Sequence, residues 1–263
     1  MKKTISEIRE RPLFPEGSAL VIGGSGGIGE SVCKNFISHG VPVIFTYFKN
    51  NKSASKLAKE IKDNGGKAEG HQLSLTDKTQ VKKFFEEINS SGTNIHSIVN
   101  ATGADIKMRW INSLTYDEWK DVMHNDADGF FNLVQNSLPL LKKKGGSYTT
   151  ISSIGLSRWP TKDILSVAPK AVIDALITGL AREEGRNGIR ANSIQLGIIE
   201  AGLFLRLRGN DYDERYIEAA KNNTALKRFG SAEDVSDAVI FLSSNRGNYI
   251  TGQTLFLDGG FRI

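Results

Sequence analysis

The chain has 263 residues, 39% of them hydrophobic and 24% charged, with a formal net charge of +5, a length that one α/β domain accommodates. Cys33 is the single cysteine, which excludes an intrachain disulfide. Lysines and arginines are interspersed with acids, apart from Lys142-Lys143-Lys144, so the basic balance describes a solvated surface and no nucleic-acid groove.

Residues 1–16 read as a polar arm around Pro12 and Pro15, leaving 17–263 as one domain. The arm is charged throughout and lacks the apolar centre of a signal peptide, and no run reaches the roughly 18 apolar residues of a membrane span. The expectation is a cytoplasmic protein with no membrane partner.

Strands are expected near 18–22, 41–47, 68–73, 96–100, 146–152, 190–195 and 253–257, and helices near 27–39, 52–64, 77–90, 115–143, 167–186 and 233–243. The first strand breaks at Gly23-Gly24-Ser25-Gly26-Gly27-Ile28-Gly29 and runs into a helix. Glycines there permit a tight turn and let a phosphate approach the amides at the helix N-terminus. Cys33 falls in the apolar pattern of that helix and reads as a buried thiol. Gly65-Gly66 closes the second helix, Thr76-Asp77 precedes the third, and Ser231-x-x-Asp234 has the form of a capping box with the shorter acid. Apolar strands alternating with helices define a single-domain, Rossmann-type doubly wound α/β sheet of about seven mainly parallel strands, with helices on both faces. The stretch 198–230, with Leu203-Phe204-Leu205, interrupts the alternation, and a substrate lid is expected near 198–222.

In such a sheet the ligand lies beyond the carboxyl ends of the strands. After the second strand stands Tyr47-Phe48-Lys49-Asn50, with no acid for the ribose hydroxyls of an adenosine. Lys49 would suit a 2′-phosphate, favouring NADP(H), with NAD(H) as the alternative. Asn100-Ala101-Thr102-Gly103 follows the fourth strand and Ser152-Ser153 the fifth; the next helix carries Ser166-Val167-Ala168-Pro169-Lys170. The four histidines show no metal-ligand spacing and suit no Ser-His-acid triad, so no metal site is expected.

From about residue 17 to 260 the chain resembles the short-chain dehydrogenase/reductase family. Gly23-x-x-x-Gly27-x-Gly29 resembles the family's cofactor glycines, Asn100-Ala101-Thr102-Gly103 its Asn-Asn-Ala-Gly motif, and Ser153 its catalytic serine. Asn125 resembles the asparagine that holds a proton-relay water, Arg190-Ala191-Asn192-Ser193-Ile194 the strand before the nicotinamide loop, and Leu257-Asp258-Gly259-Gly260 the C-terminal glycines. The resemblance implies nucleotide contacts at Gly23, Ser25, Gly27, Ile28 and Gly29 in the first turn. It implies further ones at Ser74 and Leu75, at Asn100, Ala101 and Gly103, and at Lys170, Gly197 and Ile199. It also implies a homotetramer or homodimer built on helices 115–143 and 167–186 and the last strand.

The family mechanism reduces a small-molecule carbonyl. A tyrosine, made more acidic by a lysine four residues later, gives a proton to the substrate oxygen, and the serine holds that oxygen. Lys170 matches the lysine, and Ser166 occupies the tyrosine's place. A serine is a weaker and shorter acid, and Ser166 is expected to cap the 167–186 helix instead. The enoyl-acyl-carrier-protein reductase subset places its tyrosine seven residues before the lysine, where this chain has Asp163. Other departures are Leu196 for proline, Ala201 for threonine, Ser74 for aspartate and Ile22 for threonine. Three readings follow. The first is an NADP(H)-preferring reductase of a carbonyl, an oxoacyl thioester among them, or of an activated double bond, using Ser153, Lys170, Asn125 and an atypical proton source. The second is a nucleotide-binding pseudo-enzyme, and the third a redox-neutral lyase or isomerase.

Overall fold

The structure is a computed structural model that describes residues 12–103, 105–209 and 212–263, so most of the 1–16 arm lies outside the described residues. Seven strands form one sheet: β1 (Ser18–Ile22), β2 (Val43–Tyr47), β3 (Ala68–Gln72), β4 (Ile95–Asn100), β5 (Gly146–Ser153), β6 (Ile189–Leu196) and β7 (Thr254–Leu257). Their order is β3-β2-β1-β4-β5-β6-β7, and every pairing is parallel. The chain moves outward in one direction from β1 to β3 and in the other from β4 to β7. The switch between β1 and β4 opens a crevice at the carboxyl ends of these two strands.

Alternate residues of β1 feed two separate cores. Ala19 and Val21 pack under α1 (Gly27–Ser38), α2 (Asn51–Asp63) and, beyond them, α9 (Ala232–Ser243). Leu20 and Ile22 pack under α3 (Lys78–Ser90), α5 (Gly129–Leu141) and α6 (Ile164–Glu184). A sheet covered on both faces needs strands that are apolar at every position, which is why β1 is buried throughout. Cys33 is buried in the first core, and burial pushes its thiol far above the usual range.

Local punctuation agrees with the sequence at several ends. Asp77 caps α3, Gly65 turns with φ +79° after α2, and Ser231 and Asp234 form a reciprocal capping box. The helix expected over 115–143 is instead two helices, α4 (Tyr116–Met123) and α5, joined by a π-helical segment, His124–Asp128. There the Gly129 amide reaches back five residues to the His124 carbonyl. α6 is also long and apolar enough to span a bilayer, which the sequence reading did not anticipate. It packs as a core helix, with Ile173 and Ile177 buried against the sheet.

Between β6 and α9 lie two short helices, α7 (Leu203–Leu207) and α8 (Glu214–Asn223). They have a small core of their own, Phe204, Ile217, Ala220 and Phe229, separate from the two sheet cores.

Candidate functional site

The glycine turn after β1 is enforced by backbone packing. Gly23 turns with φ +78°, a Cβ on Gly24 would lie 2.6 Å from Phe45 Cβ, and one on Gly29 would lie 2.2 Å from the Gly23 carbonyl oxygen. Gly26 is the N-cap of α1 and offers no side-chain acceptor, so the first amides of that helix remain available to an anion. A Cβ on Gly27 would sit 3.2 Å from the amide nitrogen of Gly202, so the segment leading into α7 closes against this turn. Ser25 and Ile28 lie half-buried beside it. The residues fit a pyrophosphate, because the cradle has amides, no side-chain competitor and no room for a Cβ.

At the end of β2, Phe48 and Lys49 are exposed, with the Lys49 ammonium 5.3 Å from the Phe48 ring centroid. Asn50 caps α2 by accepting the Ser53 amide at 3.1 Å. Among the described residues no carboxylate follows this strand before α2. After β3, the Ser74 amide donates to Gln80 Oε1 at 2.6 Å, while the Leu75 carbonyl accepts from Asn132 at 2.8 Å.

The buried centre of the site is Lys170, which is 8% exposed. Its ammonium donates to the Thr102 carbonyl at 2.9 Å and lies 3.9 Å from an Asp126 carboxylate oxygen. The Thr102 hydroxyl in turn donates to Asn100 Oδ1 at 2.7 Å, and the Asn100 amide to Thr150 at 3.4 Å, so the ends of β4 and β5 are tied together. Gly103 has open space around its Cα, and Ala101 is half-buried against the first core.

Two expectations are corrected here. Asn125 does not face Lys170: it is exposed and donates to the Asp121 carbonyl at 2.6 Å. One residue is about a 100° rotation on a helix, and the residue turned inward is Asp126. The signal was present in the sequence, since Asp126, Phe130, Leu133 and Ser137 fall at i, i+4, i+7 and i+11 and all four are buried. Ser166 does not cap the helix either. α6 starts three residues earlier than that reading required, Asp163 is its N-cap residue, and Ser166 lies inside the first turn with its amide bonded to the Asp163 carbonyl.

Ser153 ends β5, and its hydroxyl accepts the Gly155 amide at 3.0 Å. A Cβ on Gly155 would meet both the Ser153 hydroxyl, at 3.1 Å, and Val167, at 2.5 Å. The hydroxyl therefore lies beside the first turn of α6. Asp163, at the head of that turn, is raised by burial to about 7. Gly197 donates its amide to Leu257, and a Cβ there would lie 2.8 Å from Asp258 Cα; Ile199 is buried and bridges to Gly230. Across the mouth, Tyr212 stacks on Tyr216 at 4.6 Å and its hydroxyl approaches the Met108 sulfur at 4.0 Å. Trp159 is 54% exposed. Asp126, which faces Lys170, was not singled out in the sequence.

A doubly wound sheet with a glycine cradle at its switch point and a buried lysine beside it defines a dinucleotide-binding α/β protein. Residues 23–262 match the family model described as enoyl-(acyl carrier protein) reductase. The chain is 30% identical over 244 residues to the 3-oxoacyl-(acyl-carrier-protein) reductase FabG of Staphylococcus epidermidis, covering 92% of this chain and 98% of that one. It is also 30% identical to the uncharacterized oxidoreductase YxbG of Bacillus subtilis, covering 92% and 90%. Among solved structures, a short-chain dehydrogenase/reductase from Serratia marcescens superposes with a TM-score of 0.86 at 26% identity, covering 96% of this chain and 100% of that one. A gluconate 5-dehydrogenase from Burkholderia cenocepacia, in complex with NADP and tartrate, superposes with a TM-score of 0.88 at 25% identity, covering 96% and 97%. The chain belongs to the short-chain dehydrogenase/reductase family of NAD(P)-dependent oxidoreductases.

Proposed function

We propose that the chain is an NADP(H)-dependent reductase of a carbonyl compound, with an oxoacyl thioester as its first candidate substrate and an activated double bond as the next. The observation that carries this reading is Lys170, a buried ammonium fixed between the Thr102 carbonyl and the Asp126 carboxylate at the strand-end crevice. A lysine buried at that cost, with one donor committed to a carbonyl, keeps other N–H bonds for a ligand. The similarity to FabG supports the thioester, and the gluconate dehydrogenase complex with NADP supports the phosphorylated cofactor.

When bound, the reduced nicotinamide supplies hydride. In this reading the α1 amides, with Gly23, Ser25, Gly27, Ile28 and Gly29, hold the pyrophosphate, and Lys49 meets the 2′-phosphate. Ser74 and Leu75 flank the adenine, while Asn100, Ala101 and Gly103 flank the ribose. Lys170 holds the nicotinamide ribose hydroxyls, with Gly197 and Ile199 along the ring. Ser153 orients the substrate oxygen, Asp126 takes the place assigned in sequence to Asn125, and α7 with α8 covers the substrate. Oligomer formation through α5, α6 and the β7 edge is supported by the exposed Phe131, Val172 and Phe256.

The test is NADPH titration followed by stopped-flow oxidation over a panel of ketones, enones and oxoacyl thioesters. Binding with turnover on at least one class is expected; binding with none refutes the reading. A second reading, a nucleotide-binding pseudo-enzyme, is favoured by Ser166, Leu196 and Ala201, which remove side-chain chemistry from one region. Activity gained only in Ser166→Tyr would support it, and wild-type turnover would exclude it.

A further inference from the structure

Asp77 and Asp213 each open a helix from a preceding loop and use the carboxylate as acids usually do there. Asp77 accepts the Gln80 amide at 2.9 Å and Asp213 the Tyr216 amide at 2.7 Å. Asp163 opens α6 in the same way, yet its carboxylate accepts no helix amide. It is only partly exposed, and that burial moves its acid up to about 7. A carboxyl that gives up its cap and part of its solvation holds its proton into the neutral range.

Its position is the relevant one. Asp163, Ser166 and Lys170 are spaced i, i+3 and i+7, one stripe of α6, and the Ser153 hydroxyl lies beside the turn that Asp163 heads. On the lid side stand Tyr216, whose phenol is raised first by burial and then by Asp163 once that carboxyl is ionised, and Tyr212 stacked on it. On the loop side Lys162 turns with φ +65°, its carbonyl accepts the Arg109 amide, and its ammonium lies 5.3 Å from the centroid of the Trp110 ring. Along α6, Lys170 is already engaged with Thr102 and Asp126.

We propose that Asp163 is the proton donor of the reduction, working from the head of α6 where the Ser166 position supplies no phenol. The inference rests on the reductase reading above. As hydride from the reduced nicotinamide forms the new C–H bond, the carbonyl π pair moves onto oxygen, the Asp163 O–H bond breaks, and its proton joins that oxygen. The carboxylate left behind is reprotonated from water. Since the acid form acts, turnover is full below the Asp163 titration, near pH 7, and falls about tenfold per pH unit well above it.

The experiment compares wild type, Asp163→Asn and Asp163→Glu, each checked for folding by circular dichroism. Asp163→Asn should lower kcat by about 10²–10⁴ with the NADPH Kd unchanged, and Asp163→Glu should recover part of the rate with a shifted alkaline limb. Infrared spectra of the ligand-free protein supply a readout that needs no turnover. A protonated carboxyl band should persist near pH 6, where ordinary carboxyls are ionised, titrate away above neutrality and be missing at that pH from Asp163→Asn. Asp163→Asn turning over within about threefold of wild type with the same pH profile, or a wild type without that band, overturns the proposal. A wild type silent on every substrate overturns the reductase reading instead, and the infrared titration still decides whether Asp163 holds the proton. Should Asp163→Asn not fold, the Glu variant's pH profile and the wild-type band decide.

Discussion

Asp126→Asn removes the charge that faces Lys170 while keeping the side chain's shape. At 3.9 Å separation and an effective dielectric of about 20, the attraction between the two charges is about 4 kcal/mol. Both side chains are about nine-tenths buried, so little of this is screened by water. The Thr102 carbonyl still accepts one N–H of Lys170 in the variant, and the new amide contributes a dipole, so the expected loss of stability is about 2–4 kcal/mol. Lys170→Met should cost a similar amount, because it strands the carboxylate. The double variant should cost at least about 1.5 kcal/mol less than the sum of the two. Urea denaturation of the four proteins at neutral pH measures the cycle. Additivity within about 0.5 kcal/mol would show that the two charges do not act as a pair, and the account of the buried centre would fail with it.

Four further outcomes follow from other places in the molecule. His96 is buried on Phe14 with Nε2 unpartnered among the described residues, and burial lowers it to about 4. Its folded form binds fewer protons than the unfolded chain, so its contribution is complete above about pH 6.5 and about 3 kcal/mol is lost as pH falls to 4. Urea melts should show that slope in wild type and a flatter one in His96→Gln. Gly29→Ala places a methyl 2.2 Å from the Gly23 carbonyl oxygen and should cost at least about 1–3 kcal/mol together with nucleotide binding. Gly40→Ala, at φ +75° in open space, should cost only about 1–2 kcal/mol and leave binding intact in an NADPH titration of both variants. Lys49→Ala should narrow any preference for NADPH over NADH by roughly tenfold, read as the ratio of the two Kd values.

Features set by chain-local chemistry were legible in the sequence. The glycine turn, the parallel alternation and the Ser231–Asp234 box each depend on residues within a few positions of one another, and the structure has all three. The inward face of the π segment depends instead on how many residues a turn takes up, which no single motif reports. Motif matching therefore settled on Asn125, where counting back from Phe130 would have reached Asp126. The start of α6 was misplaced for a related reason. A serine preceding an apolar run looks like a cap, but the helix was already under way from Ile164. The charge effect of Asp163 on Tyr216 joins residues about fifty positions apart, a distance at which one sequence carries no signal.

The π segment also bears on how the chain tolerates changes in length. One residue more than a regular α-helix would use is absorbed between α4 and α5, so both helices stay docked while the carboxylate at 126 is pushed toward α6. Deleting a single residue from 124–128 would let the helix close into regular bonding and gain in helical order. It would also lose the phasing that sets an acid opposite Lys170. In this stretch, a shorter chain would trade a working crevice for a better helix.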